Sequence, residues 1–497
     1  MSCHITQLPA ELYDVIFSEL NRSDLTRLGY TCTELHHATN PHIYRCIHLI
    51  LEIEKGSLDH LTLLLRTAIL HRPDIATMVE EFSLTAQRPK DTYYIERFSD
   101  IIASFGQNVF SSSELEQMRL RIDEAGAAPD WQEAIIEYRD VNAMTAFMLS
   151  QFTCLESLSI PEVFLQKRPW DWIGRMLAGT GGRQTLIPGG AELRNLRHLV
   201  LGTADTSQNL ESKNYPEIIL VAAQIPTLES LECRGNFCDS YPDVDGKELA
   251  SIGDQKGRLR TLSFVRTDVD PKLVAAVLKV QPQIQKLIID YYTQESVHLD
   301  ILRSGLNFVK DSLTHLSMRS EMWSSDGMVE YSQAYEGKLG SLADFKNLLE
   351  LETSLPALFG KCSNYPNDNE QEHDGFIFFQ LPPLDTYLPK GLRSLRLYND
   401  LLELDYVMQN WYQGGWWVVM TKFFRGRGDF YDLPLIESLP HLQSVMMDMT
   451  KFGYTMYFGD PRQDRRQWYE EEHQLEGCNS LKNMAAAQGV DLKIVRS

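Results

Sequence analysis

Cysteine is scarce, with eight in 497 residues and no CxxC spacing; the closest pairs are Cys32/Cys46 and Cys233/Cys238. That excludes a disulfide-stapled scaffold and a zinc knuckle, and predicts reduced intracellular thiols. Positive charge is in deficit. Lysine and arginine total 47 against 68 aspartate and glutamate, a formal net charge of −21. This excludes a broad phosphate-binding surface and a polybasic membrane anchor, so neither nucleic acid nor membrane is an expected partner. No run approaches the ~18 uninterrupted apolar residues of a membrane span. Even Leu61 to Leu70 is broken by Thr62, Arg66 and Thr67. The opening MSCHITQLPAEL lacks a basic stretch followed by an apolar run, so no secretory signal is expected. The expectation is a soluble chain of the cytoplasm and/or nucleus.

Catalytic signatures are also missing. Gly179-Thr180-Gly181-Gly182 and Gly189-Gly190 form neither GxxxxGK[ST] nor a GxGxxG that opens a helix. HExxH, GxSxG and clustered His/Cys sets are absent. Glu370, Glu372, His373 and Asp374 read as a solvated acidic loop, not a metal site. Arg427-Gly428-Asp429 and the formal glycosylation acceptor Asn21-Arg22-Ser23 lack the secretory context that would use them. No catalytic residue, cofactor or metal is expected.

What is present is globular material, 43% apolar and 23% charged. At about 150 residues per domain, it suggests roughly three domains or one elongated array. The first fifty residues stand apart. Pro9 suits a first-turn helix position, and Leu12, Ile16, Phe17 and Leu20 follow as one stripe. Ser23 is the expected N-cap of a second helix carrying Leu25 and Leu28. Cys32, Leu35 and Ala38 mark a third, expected to end before Pro41. Three such short helices bury little alone. They are either a cap on a larger domain or a module completed by a partner.

The run LPAELYDVIFSELNRSDLTRLGYTCTELHHATNPHIYR resembles an F-box. It carries Leu8, Pro9, Glu11, Leu12, Ile16, Phe17, Leu20, Leu25, Leu28, Cys32 and the closing aromatic Tyr44. Leu35, with Glu34, stands where many F-boxes have a bulky aromatic, and Tyr44 replaces Trp, as in many fungal members. The resemblance implies docking to a Skp-type adaptor, and through it to cullin and RING subunits. Leu8, Pro9, Leu12, Ile16, Phe17, Leu20, Leu25, Leu28, Cys32 and Leu35 are the candidate adaptor-binding residues. For Leu25, Leu28 and Leu35, holding the helices together is an equal alternative.

Farther along, Leu58 to His71 has helical spacing, as does Ser113 to Ser150, interrupted at Gly126 to Pro129. A phrase then recurs: apolar, two variable, apolar, variable, apolar. It appears as LESLSI (155–160), LRHLVL (196–201), LESLEC (228–233), LRTLSF (259–264), IQKLII (284–289) and LTHLSM (313–318). LLELET (348–353) is imperfect, LRSLRL (392–397) and LQSVMM (442–447) follow, and VEEFSL (79–84) is an earlier copy. The pattern resembles a degenerate leucine-rich repeat, with Asn236 and Asn399 the nearest approaches to its usual asparagine. VDLKIV near the end is an expected last strand. NDNEQEHD, within 364–374, reads as a polar insertion. The aromatic run 411–431 reads as buried helix, with an exposed recognition patch as the alternative.

The expected fold is therefore α/β: a short N-terminal three-helix F-box (5–48), a helical connection with a first repeat or cap (55–150), and an irregular leucine-rich-repeat solenoid (151–497). The resemblance implies the non-catalytic substrate-recognition subunit of a Skp–cullin–F-box ubiquitin ligase that holds an unknown protein target. Strand alternation nominates target-binding positions on the concave face: His198, Val200, Ser230, Glu232, Arg234, Ser263, Arg266, Lys286, Ile288, Asp290, Tyr291, His315, Arg319, Arg396 and Tyr398. The alternatives are a repeat scaffold outside the ubiquitin system and, behind it, an enzyme with a dispersed site.

Overall fold

The structure, a computed structural model, describes residues 8–52, 59–87, 110–161, 164–165, 172–180, 193–202, 217–235, 257–293, 296–322, 335–360, 382–398, 416–425, 438–448 and 478–495. The fold is mixed α/β, with parallel strands and many helices. Contacts divide the chain into two compact units. One comprises Met1–Gly235 with Gln255–Leu259, the other Asn236–Asp254 with Arg260–Ser497.

The first unit opens with α1 (Ala10–Ser18), α2 (Arg22–Gly29) and α3 (Thr33–Tyr44). Pro9 is the N-cap residue of α1 rather than a residue inside its first turn. The N-cap of α2 is Asn21, not Ser23: its side chain accepts from the Asp24 amide at 3.0 Å. An asparagine oxygen at this offset satisfies one of the orphan amides of the first turn. The third helix does not stop before Pro41 but runs through it to Tyr44. Ile43, beyond the proline, packs on the module's core, and His42 lies 3.2 Å from Asp14 of α1. These tertiary contacts offset the backbone bond that proline lacks.

Strands β1 (Cys46–Glu52), β2 (Glu81–Gln87), β3 (Ser157–Ile160), β4 (His198–Leu201) and β5 (Ser230–Arg234) pair in parallel, each with the next in chain order. Parallel pairing needs a crossover between strands. Between β1 and β2 it is α4 (Asp59–Leu65), a π-helical turn (Arg66–His71) and α5 (Pro73–Ala76). Between β2 and β3 it includes α6 (Ser112–Glu124), α7 (Pro129–Gln132), a second π-helical turn (Glu133–Glu137) and α8 (Val141–Ser150). The expected interruption lies between α6 and α7, where Gly126 takes a φ of 63°. Helices α9 (Trp172–Thr180) and α10 (Glu217–Ala223) complete the unit.

The second unit repeats the scheme. Strands β6 (Thr261–Thr267), β7 (Lys286–Thr293), β9 (His315–Met322), β11 (Glu350–Thr353), β12 (Ser394–Tyr398), β13 (Ser444–Asp448) and β14 (Asp491–Val495) are parallel neighbours in that order. A short parallel pair, β8 (Val297–His298) and β10 (Tyr335–Glu336), lies outside that succession. The helices are α11 (Pro271–Val280), α12 (Leu299–Leu306), α13 (Leu355–Phe359), α14 (Trp416–Arg425) and a stretch over 478–487. Helix α11 begins where Asp270 accepts from the Lys272 amide at 2.8 Å and Pro271 occupies the first turn.

The recurrent phrase explains both cores. Ile47, Phe82, Leu158, Leu199 and Leu231 form one buried row across β1 to β5; Leu262, Leu287, Leu316, Leu351, Leu395, Val445 and Leu492 form the corresponding row across β6 to β14. In several phrases the leading leucine turns the chain into the strand. The amides of Leu196, Leu228, Leu348, Leu392 and Leu442 each donate to the carbonyl three residues back. A carbonyl just before one strand then accepts two successive amides at the start of the next. Arg45 does so from Glu80 and Glu81, Gln285 from Thr314 and His315, and Leu349 from Arg393 and Ser394.

Among the described residues no helix is long and apolar enough to cross a membrane, and no group of three or more His, Cys, Asp or Glu could hold a metal ion. The acidic segment 364–374 and the tripeptide 427–429 lie outside the described residues. Of the aromatic run, 416–425 is helix α14, with Phe423 and Phe424 buried.

Candidate functional site

Helix α1 has two apolar faces. Tyr13 and Phe17 turn inward and, with Leu20 just beyond the helix, pack with Leu25, Leu28, Cys32, Leu35, Ala38 and Ile43. Of these, Phe17, Leu25 and Leu35 are fully buried, so they hold the three helices together. Leu20, Leu28 and Cys32 are half-buried against them, and Leu8 is half-buried at the chain's start. The other face is uncovered: Leu12 is 45% exposed, Val15 63% and Ile16 40%, with Pro9 exposed beside them. Helical spacing puts Leu12, Val15 and Ile16 on one side, and Leu8 lies just before the N-cap. Tyr30, 81% exposed at the C-terminus of α2, is a further uncovered ring in the module. Val15 and Tyr30 are not among the motif positions. Val15 was legible from its offset of three from Leu12.

The outer face of the strands is the second surface. In the first unit it presents His198, which is exposed, the half-buried Val200 and Ser230, and an ion pair between Glu232 and Arg234. In the second unit it is polar and cross-linked. His315 Nδ1 lies 2.8 Å from a Glu350 carboxylate oxygen on the adjacent strand. Ser317 donates to Glu352 at 3.0 Å, and the Tyr398 hydroxyl donates to the same carboxylate oxygen. Arg396 donates to Asp448 at 2.9 Å and stacks 4.7 Å from the centre of the Tyr398 ring, which Arg319 also approaches at 5.7 Å. Burial, then the Glu352 hydrogen bond, pushes the Tyr398 phenol well above its ordinary value, so the ring stays a neutral donor.

Arg266 and Tyr292 form a related pair, with the guanidinium 4.6 Å from the ring centre. Between Phe264 and Thr267, β6 carries one residue more than β7, and Arg266 sits in that bulge with a φ of 50°. Lys286 is exposed; Ile288 and Asp290 are half-buried on the same face. Two of the nominated positions need correction. Tyr291 is only 1% exposed, because alternation along β7 continues through Leu287, Ile289 and Tyr291 on the core side, and Tyr292 is the ring on the outer face. Ser263 is buried as well. Glu350, Glu352 and Asp448 were not nominated, although their alternation with Leu351 and Met447 marks them as outward.

Nothing described resembles a catalytic constellation. Burial pushes the Cys233 thiol up, which makes it inert as a nucleophile. A cleft of about 300 Å³ in the first unit is lined by Ala68, Ile69, Phe147, Arg121 and Glu124 among others, the last two paired at 2.9 Å. Its two threonine hydroxyls, Thr77 and Thr153, donate to the Asp74 carbonyl and the Cys154 sulfur rather than to Glu124.

No protein-family model and no curated protein matches the chain. The functional reading therefore rests on its own residues.

Proposed function

We propose that this chain is a substrate-recognition subunit of a Skp–cullin–F-box ubiquitin ligase. The N-terminal three-helix module is its F-box, and the parallel strands with their crossovers are degenerate leucine-rich repeats stacked as an irregular solenoid. The observation that carries the reading is the division of α1 into an inner face that completes the module's core and an outer face, Leu12, Val15 and Ile16, that nothing described covers. An exposed apolar stripe of this kind is what a helix-in-groove contact uses. A few such side chains supply most of the binding energy.

The chain performs no covalent chemistry in this account. The Skp-type adaptor docks on Leu8, Pro9, Leu12, Val15 and Ile16, and links the chain to cullin and RING subunits. The outer strand face holds a protein target, and tethering raises the target's effective concentration near the ubiquitin-loaded enzyme. The sequence-order pairing of the strands supports the repeat reading, since each phrase buries its apolar residues against its neighbours.

Co-purification with the Skp-type adaptor tests the reading, comparing the full chain with a Pro9→Ala, Leu12→Ala, Ile16→Ala variant. Capture by the full chain that is lost in the variant is expected. Equal capture by both, or by neither, makes the module a cap on the first unit.

A further inference from the structure

The cleft of about 300 Å³ in the first unit is built by the crossovers on either side of β2. The first π-helical turn supplies Ala68 and Ile69, and α5 supplies Ala76. Helix α6 ends at the cleft with Arg121, Glu124 and its C-cap residue Ala125, and α8 brings Phe147 and its C-cap residue Gln151. Protein interiors are close-packed, so a space of this size needs a cause. Here the cause is alanine: Ala68, Ala76 and Ala125, from separate elements, leave the space open. Helical turns of the π type are frequent at functional sites. Ala68, Ile69, Ala76 and Phe147 are buried and form an apolar floor, whereas Arg121 and Glu124 are exposed at the mouth. There Arg121 Nη1 donates to Glu124 Oε2 at 2.9 Å. A glutamate in the last turn of a helix opposes the dipole, whose negative end favours a cation. The Gln151 side-chain nitrogen donates to Ser150 Oγ at 3.0 Å, which leaves its carbonyl oxygen as an acceptor. The mouth thus offers a guanidinium beside an excess of acceptors.

We propose that this cleft binds a free α-amino acid with an apolar side chain. Such a molecule carries a carboxylate and an ammonium on one carbon, the same close spacing of opposite charges that Arg121 and Glu124 present. Its carboxylate meets the Arg121 guanidinium, which receives carboxylates through paired N–H donors. Its ammonium meets Glu124, Gln151 and the negative ends of α6 and α8. Its side chain lies on the floor against Ile69 and Phe147. The volume is at the small end of ligand pockets, which suits a single small molecule and not a peptide segment. An internal peptide segment would also bring neither of the two backbone charges. A purely apolar ligand would leave Arg121 and Glu124 unmatched. The cleft involves no residue of α1 or of the outer strand face, so this binding is separate from the ligase reading.

The test is titration calorimetry of leucine and of phenylalanine into the full chain. The controls are leucinamide, which lacks the carboxylate, N-acetylleucine, which lacks the ammonium, and glycine, which lacks the side chain. Saturable binding of leucine or phenylalanine is expected, at least about tenfold tighter than that of any control, since a lost charge-assisted contact is worth about that factor. Arg121→Gln and Glu124→Gln should each weaken it about tenfold. The pair they break is solvent-exposed and adds little to stability, so both variants should keep the wild-type circular dichroism spectrum. Ala125→Met, at a half-buried edge of the cleft, fills the space and should abolish binding in a folded chain. Three results would overturn the proposal: no saturable binding of either amino acid by the wild type, leucinamide or N-acetylleucine binding as tightly as leucine, or undiminished binding by the folded variants. Adaptor capture by Arg121→Gln and Glu124→Gln should equal that of the wild type. Failure of amino-acid binding with capture intact thus rejects the cleft as a receptor without touching the ligase reading.

Discussion

The Tyr398 hydroxyl donates to the carboxylate of Glu352, which also accepts from Ser317, so one glutamate of β11 ties β9 to β12. The Tyr398 ring in turn carries Arg396 and Arg319. Tyr398→Phe removes a hydrogen bond to a partly buried carboxylate and should cost about 1 kcal/mol near neutrality. The phenol's ionisation is raised, first by burial and then by the bond to Glu352. Its contribution is therefore fully present below the ordinary tyrosine value of about 10, and is lost as pH climbs through the raised value. Urea unfolding at neutral and alkaline pH should show the wild type losing more stability than Tyr398→Phe above about pH 10.

Thr353 marks the repeat whose phrase departs from the pattern. It faces the core opposite Leu397, is fully buried, and its hydroxyl has no hydrogen-bond partner. Thr353→Val keeps the shape and removes an unsatisfied polar atom, which should add about 1 kcal/mol. Thermal unfolding should shift upward by roughly 2 to 4 °C. A downward shift would mean the hydroxyl is satisfied.

Helices α11 and α12 touch at Gly305. A β-carbon there would lie 2.6 Å from the Ala275 Cα and 2.7 Å from its Cβ, so the helices can approach only because the side chain is absent. Gly305→Ala should destabilise the second unit by about 1 to 3 kcal/mol through overpacking. Adding Ala275→Gly removes only the Cβ contact, so it should restore part of the loss in denaturant titrations.

The N-terminus of α6 carries a reciprocal cap. Glu114 accepts from the Ser111 amide at 2.8 Å, Ser111 Oγ accepts from the Glu114 amide at 3.3 Å, and Arg66 Nε lies 2.9 Å from the same carboxylate. The Ser111 amide bond, against burial and with help from the Ser111 hydroxyl and Arg66, holds the Glu114 carboxyl below its ordinary value. The cap's contribution is thus present above about pH 4.3, the unfolded value, and is lost as pH falls through the lowered one. Ser111→Ala should cost about 1 kcal/mol at neutral pH. Glu114→Gln should flatten the acid limb of stability followed by circular dichroism.

Periodicity exposed the repeating core, because a buried strand needs apolar residues at every second position and Leu158, Leu199, Leu287 and Leu395 each begin such a pair. It also located the interruption before α7. Decisions made by tertiary contacts were less legible. Pro41 sits inside α3 because the surrounding packing outweighs a lost backbone bond. Strand β1 follows the three helices directly, and its Ile47 and Leu51 alternate like the later copies, yet it lacks their leading leucine. The bulge at Arg266 has no glycine to announce it. Tyr291 and Tyr292 were separated only by counting the alternation through the full length of β7. On α1, the motif positions mix inner and outer residues, and only the packing of Phe17 on Leu25 and Leu35 sorted them.

The central claim is that the outer face of α1 docks a Skp-type adaptor, and titration calorimetry of purified adaptor into the full chain tests it most directly. The account predicts saturable one-to-one binding by the wild type. In Ile16→Asp and Val15→Asp variants, whose side chains lie outside the module's core, affinity should fall by at least about a hundredfold with an unchanged circular dichroism spectrum. Equal heats of binding for wild type and variants, or no binding by the wild type, would contradict it.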